Sequence, residues 1–199
     1  MRITANQITL LRIVLVPFIL FFMFWSSFVY SPFIAFAIYL FAAVTDALDG
    51  NYARKTKTVS NAGKFLDPIS DKIFVHGVMI ALIFIGIFSR INQAVTYVNA
   101  ACIIIMLTRE FAIAVIRQMA AERSIVIGAD SYGKTKTVLT FISFGAFILS
   151  LFDNGNETIK TIANVIYYFG LAVFYAATVF SVLSGVNYYL KNKANLKFE

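Results

Sequence analysis

The length of the apolar runs limits this chain more than any other feature. A helix that crosses the hydrocarbon core of a bilayer needs about 20 largely apolar residues at roughly 1.5 Å rise each. Six runs of this kind, separated by polar breaks, cover residues 13–30, 33–52, 68–88, 95–116, 138–152 and 159–190. The sixth is long enough to tilt or to protrude from the bilayer. Apolar residues make up 60% of the chain, against roughly 45–50% in soluble domains. The pattern predicts an all-α, polytopic integral membrane protein with six transmembrane helices. No Pro/Gly/Ser-rich linker, hydrophilic insertion or internal repeat divides it, so residues 1–199 are expected to form a single membrane domain.

Ahead of the first run, Asn6, Gln7 and Thr9 interleave with Ile8, Leu10 and Leu11 between Arg2 and Arg12. That alternation predicts a short amphipathic helix lying on the membrane surface. A cleaved secretory signal is not expected, because the apolar stretch is long and no small-residue cleavage pattern follows it. Orientation follows from the cations, since cytoplasmic loops are enriched in Lys and Arg. With six helices, all of the 17 Lys and Arg except Arg90 and Lys160 fall on one side. Both termini, the loop between the second and third helices and the loop between the fourth and fifth are therefore assigned to the cytoplasm.

Charged residues are only 14% of the chain, yet they sum to +7, which points to an anionic partner: membrane lipid or a phosphorylated substrate. Nucleic acid is not expected, because the cations form short clusters beside apolar spans rather than a long basic stripe. The single cysteine, Cys102, lies inside an apolar run and is expected to be a buried, inert thiol. Phe21, Phe22, Phe24, Trp25 and Tyr30 read as lipid-facing and interfacial aromatics.

Ionisable groups in or near a bilayer core are costly and need a reason, at about 2.5–3.5 kcal/mol each on insertion scales. Asp46 and Asp49 are expected to close the second helix, and Asp67 and Asp71 to open the third. Spacings of three and four place each pair on one helical face. Four carboxylates so gathered repel one another unless cations neutralise them, and hard oxygen ligands at that density suit Mg²⁺ or Mn²⁺, with room for two ions. Pairing with Arg54, Lys55, Lys64 and Lys72 in a solvated loop is the plainer explanation. Against it, Gly50, Ala53 and Gly63 leave open backbone between the carboxylates, where a bulky ligand can approach. His76, five residues beyond Asp71, is turned away from that face and is expected to pack in the helix interior.

Read as a pattern, the segment is D-x-x-D-G-x-x-A-R, eight residues, then G-x-x-x-D-x-x-x-D, with Asp46, Asp49, Gly50, Ala53, Arg54, Gly63, Asp67 and Asp71 at its fixed positions. It resembles the signature of the CDP-alcohol phosphotransferase family at each of them. The resemblance implies that Asp46, Asp49, Asp67 and Asp71 hold divalent metal ions that grip the diphosphate of CDP-diacylglycerol. It implies that Asp71 also acts as general base on the acceptor hydroxyl, and that Gly50, Ala53, Arg54 and Gly63 lie against the cytidine and its phosphates. A homodimer in the cell membrane, with its active site facing the cytoplasm, is implied in the same way.

The acceptor must be read from a second cluster. Arg109, Arg117, Lys134, Lys136 and Thr137, together with the opening Asn6-Gln7-Ile8-Thr9-Leu10-Leu11-Arg12, resemble the family branch that forms phosphatidylglycerophosphate. That branch uses sn-glycerol 3-phosphate, a dianion for which four cations and a hydroxyl donor make a suitable pocket. Arg109 is the most telling, because it stands beside Glu110 within an apolar run. Thr140 departs from the glutamine expected after the Gly-Lys-x-Lys-Thr segment. Inositol phosphate, serine or phosphatidylglycerol are the rival acceptors. A cation transporter or channel is the rival class, but it would distribute carboxylates through bilayer depth instead of gathering them at one end.

Overall fold

The computed structural model describes residues 5–56, 61–122 and 131–192, and their side chains at 10–45, 69–120 and 131–191. Among the described residues there are six α-helices and no strand: α1 (Ala5–Phe24), α2 (Ser31–Thr56), α3 (Asn61–Ile85), α4 (Gln93–Glu122), α5 (Ser131–Leu149) and α6 (Glu157–Asn192). The six predicted runs correspond to these helices in order. Their edges differ, because an apolar run marks only the part of a helix suited to lipid, while hydrogen bonding continues into polar sequence.

The largest difference is at the start. The amphipathic segment is not a separate interfacial helix but the first turns of α1, which runs unbroken from Ala5. No glycine or proline stands between Asn6 and Arg12 to interrupt it. Pro17 lies inside α1 and removes one backbone donor, a loss tolerated in apolar surroundings where neighbouring helices pack against it. The other boundaries have local causes. Gly86, at φ 83°, takes the left-handed conformation that ends α3, and its N–H donates to the Ile83 carbonyl at 3.0 Å. The Asn92 side chain caps α4 by accepting from the Val95 N–H at 2.8 Å, and Asn156 caps α6 by accepting from Thr158 at 2.9 Å.

Two segments, Gln93–Ala120 of α4 and Glu157–Lys191 of α6, are long and apolar enough to cross a membrane. Within the described side chains, α1 and α2 contribute the apolar stretches Leu10–Phe24 and Ser31–Thr45. Exposure agrees with a lipid environment. Phe18 and Phe21 on α1, Phe41 on α2, Ile80 and Phe84 on α3, and Tyr168 on α6 are all exposed, while Arg12, Ser70, Asn99, Lys136, Ser143, Ser181 and Ser184 are buried. So many exposed large apolar side chains are unfavourable in water.

The chain divides into two compact units, and α5 and α6 contribute to each. The first comprises Met1–Ile87 and Phe144–Tyr168. Here α1 packs on α2 and α3, burying Arg12, Val16, Ile19 and Met23 at the three- and four-residue spacing of one helical face. Gly77 of α3 brings backbone close to this stripe, since a Cβ there would lie 3.1 Å from Val16. Tyr39 stacks on Phe74 at 5.3 Å between ring centres, joining α2 to α3. At the end of α1, Phe21, Trp25, Phe28 and Tyr30 form a chain of ring contacts that reaches Phe152, as in an aromatic belt at a membrane boundary.

The second unit comprises Phe88–Ser143 and Phe169–Glu199. Asn99 of α4, fully buried, donates to the Phe88 carbonyl at 2.8 Å and accepts from the Tyr175 hydroxyl of α6 at 2.9 Å. The Ser143 hydroxyl of α5 donates to the Gly170 carbonyl of α6 at 2.9 Å. With no water in the hydrocarbon core, these polar groups are satisfied between helices. Asn99→Ala removes both of its interhelical contacts and is expected to destabilise the protein by about 1–3 kcal/mol. Its thermal midpoint in detergent should fall below that of Asn92→Ala, which removes only a surface cap; equal midpoints would contradict this network.

Candidate functional site

The signature aspartates lie within helices rather than at their ends. Asp46 and Asp49 fall inside α2, which continues to Thr56, and Asp67 and Asp71 fall inside α3, which has already begun at Asn61. The expected closing and opening positions are corrected accordingly: the helices extend past the apolar runs into the polar signature. The three- and four-residue spacings thus stand in continuous helix, and each pair occupies one face of its helix by register. The side chains of Asp46, Asp49, Gly50, Ala53, Arg54, Gly63 and Asp67 lie outside the described residues. Asp71 is described and half-buried. As a donor set, two carboxylate pairs in rigid helix match the oxygen-only preference of Mg²⁺ or Mn²⁺. His76 is half-buried on α3, five residues from Asp71.

The second candidate cluster is built by α4, α5 and α6 in the second unit. Arg109 of α4 reaches α6, where its guanidinium donates to the Ser184 hydroxyl. Eight residues further along α4, Arg117 donates from Nε to the Tyr188 hydroxyl at 3.2 Å, with its guanidinium carbon 5.6 Å from the centre of that ring. Ser184 and Tyr188 are four apart on α6, so both arginines are received by one face of that helix. From α5, Lys136 forms an ion pair with Glu110. Its side chain is 4% exposed and that of Glu110 is 20% exposed, so this is a largely desolvated pair.

Two glycines shape the arginine's path. A Cβ at Gly133 of α5 would lie 3.2 Å from an Arg109 terminal nitrogen and 3.3 Å from the Ser184 hydroxyl, and one at Gly185 of α6 would lie 3.2 Å from Arg109 Cγ. The stem and head of Arg109 therefore occupy a slot left open by missing side chains. Gly133, Lys136 and Thr137 share a face of α5 through three- and four-residue spacings, which brings Arg109 and Lys136 to the same face. Thr137 gives its hydroxyl proton to the Gly133 carbonyl at 3.0 Å. Lys134 is exposed. Thr140, the departure noted above, is buried and donates to the Lys136 carbonyl at 2.9 Å.

Cys102 is half-buried rather than fully buried. With Tyr175, Thr178, Val179, Val182 and Leu183 it lines an apolar groove of about 320 Å³. The expectation of a buried thiol missed this because an apolar run does not reveal which residues face lipid. Sequence reasoning also missed Ser184, Gly185 and Tyr188 as partners of the arginines. Their signal was the small and hydroxyl-bearing set Ser181, Ser184 and Gly185 within the sixth apolar run, at spacings that form a single stripe.

Comparison with known proteins bears on both clusters. Residues 2–183 match the family described as CDP-alcohol phosphatidyltransferase. The CDP-diacylglycerol–glycerol-3-phosphate 3-phosphatidyltransferase of Bacillus subtilis is 30% identical over 203 aligned residues, which cover 96% of each chain. The protein of the same name from Haemophilus influenzae is 32% identical over 192 residues, covering 95% of this chain and 92% of its own. That from Mycoplasma pneumoniae is 32% identical over 160 residues, 77% of this chain and 64% of that protein.

The slot around Arg109 makes its own prediction. A side chain at Gly185 presses on the middle of the arginine stem, which has less room to move than the terminal nitrogen and the Ser184 hydroxyl that one at Gly133 would meet. Gly185→Val should therefore lower the thermal midpoint in detergent more than Gly133→Val, with overpacking costs of about 1–3 kcal/mol. The reverse order would show that the stem is not clamped there.

Proposed function

Because the chain belongs to the CDP-alcohol phosphatidyltransferase family, we propose that it transfers the phosphatidyl group of CDP-diacylglycerol to sn-glycerol 3-phosphate, giving phosphatidylglycerophosphate and CMP. The observation that carries this reading is the near end-to-end likeness to the Bacillus subtilis enzyme, whose name specifies both substrates. The gathering of Arg109 and Lys136 on one face of α5 supports an anionic acceptor. The protein acts as a multi-pass protein of the cell membrane, with all six helices crossing and the signature facing the cytoplasm. A homodimer is the expected assembly.

In this reading Asp46, Asp49, Asp67 and Asp71 hold Mg²⁺ or Mn²⁺, two ions in number. Bound there, the ions would offset charge on the diphosphate and on the departing CMP oxygen. Gly50, Ala53 and Gly63 leave room for the nucleotide, and Arg54 contributes a cation to its phosphates. Arg109, Arg117, Lys134, Lys136 and Thr137 receive the acceptor phosphate and so hold its free hydroxyl in one orientation. Phosphoryl transfer depends mainly on such positioning and charge compensation.

The bond changes balance without a covalent protein intermediate. The acceptor hydroxyl oxygen attacks the phosphorus on the lipid side of the diphosphate, the bond from that phosphorus to the bridging oxygen breaks, and CMP leaves. Asp71 takes the proton released from the hydroxyl. Half-burial of this carboxylate on α3 suits a base that must touch substrate while remaining on a rigid element.

Two measurements test the proposal. CMP release from CDP-diacylglycerol by the purified protein with Mg²⁺ should be stimulated by glycerol 3-phosphate and not by inositol phosphate, serine or phosphatidylglycerol; stimulation by one of those instead would overturn the acceptor assignment. Asp71→Asn should reduce turnover by at least about 100-fold, the usual worth of a general base. Substantial activity in that variant would remove Asp71 from the role.

A further inference from the structure

Lys136 of α5 and Glu110 of α4 form an ion pair between two helices. A buried ammonium needs a counter-anion, because leaving it unpaired in a low-dielectric interior is strongly unfavourable. Lys136 is almost wholly buried, whereas a fifth of the Glu110 side chain meets the surroundings. If the pair opens, the carboxylate is the member with somewhere to go. Glu110 is also the chain neighbour of Arg109, whose guanidinium rests against Gly133, one turn, or about 4.5 Å of helix rise, before Lys136 on α5.

We propose that Glu110 is a built-in competitor for the acceptor's phosphate: it neutralises Lys136 while no anion is bound and yields that ammonium when a dianion arrives beside Arg109. This rests on the reading of Arg109 and Lys136 as acceptor-phosphate ligands. A phosphate dianion offers several acceptor oxygens and can satisfy Lys136 and Arg109 together, which replaces the lost carboxylate contact with at least two charge-assisted ones. A neutral alcohol brings no anion to replace the carboxylate, and a zwitterion brings a single carboxylate beside a cation, with less charge and fewer acceptor oxygens than a phosphate dianion. The pair is thus a specificity device as well as a structural tie, admitting phosphate-bearing acceptors by the unfavourable exchange it imposes on others.

Thermal unfolding of the full-length protein in detergent, titrated with inorganic phosphate at constant ionic strength and at alkaline pH, reads this exchange without turnover. Without phosphate, Glu110→Gln should unfold several degrees below wild type, and phosphate should restore most of that loss. Its half-maximal phosphate concentration should be lower than in wild type by about tenfold, the factor corresponding to roughly 1.4 kcal/mol of removed competition. Lys136→Met should lose most of the phosphate response in both backgrounds. Glu110→Asp, which keeps the charge but shortens its reach, should shift the half-maximal concentration in the same direction by less, and it serves if the glutamine variant does not fold.

An unchanged half-maximal concentration in the Glu110 variants, or a phosphate response that survives Lys136→Met intact, would overturn the proposal and leave the pair a structural tie. Failure of the parent reading is separate. If glycerol 3-phosphate does not stimulate CMP release while the phosphate titrations behave as described, the acceptor is wrong and the exchange of anions at Lys136 stands. If stimulation is seen and the titrations do not shift, the function stands and the competitor role falls.

Discussion

Charge is tolerated inside a bilayer only where it is gathered and compensated, and the organisation of this protein follows from that constraint. The helices turn Phe, Ile, Val and Leu outward and keep serine, asparagine, arginine and lysine between themselves. Buried polar groups are then answered across helices: Asn99 by the Phe88 carbonyl and Tyr175, Lys136 by Glu110, Arg109 by Ser184. Van der Waals packing through small residues supplies the closeness these contacts need. Gly133 and Gly185 do so around Arg109, and Gly77 does so beside Val16.

The same constraint bears on two clusters. Four aspartates stand on α2 and α3, where divalent cations would neutralise them. Arg109, Arg117, Lys134 and Lys136 stand on α4 and α5, where an anionic acceptor would. Neither set is explained by packing alone, because apolar residues would satisfy the packing at less desolvation cost. A reaction between a diphosphate ester and a phosphorylated alcohol joins polyanions that repel each other, so a protein that catalyses it must bring compensating positive charge, directly for one substrate and through carboxylate-held cations for the other.

Much of this could be read from the residues in order. The six apolar runs anticipated six helices because lipid imposes a minimum length that few other environments demand, and the spaced aspartates identified the family because carboxylates near a membrane need a ligand to justify them. The helix edges were less legible: Asp46 and Asp71 sit well inside α2 and α3, since helical hydrogen bonding does not stop where hydrophobicity does. The partners of the acceptor-cluster cations were not legible either. Ser184 and Tyr188 lie more than seventy residues from Arg109 and Arg117, and a hydroxyl in an apolar run carries no mark of what it will meet. Lys136 read as an available cation, whereas burial against Glu110 makes its availability conditional.

The central claim is that carboxylates of α2 and α3 share divalent ions which in turn hold a nucleotide diphosphate. Anomalous scattering from crystals grown with Mn²⁺ and CDP-diacylglycerol addresses it directly. The account predicts manganese peaks ligated by Asp46, Asp49, Asp67 and Asp71 and touching the diphosphate. Nucleotide bound with no manganese among these four residues, or manganese held elsewhere, would contradict it.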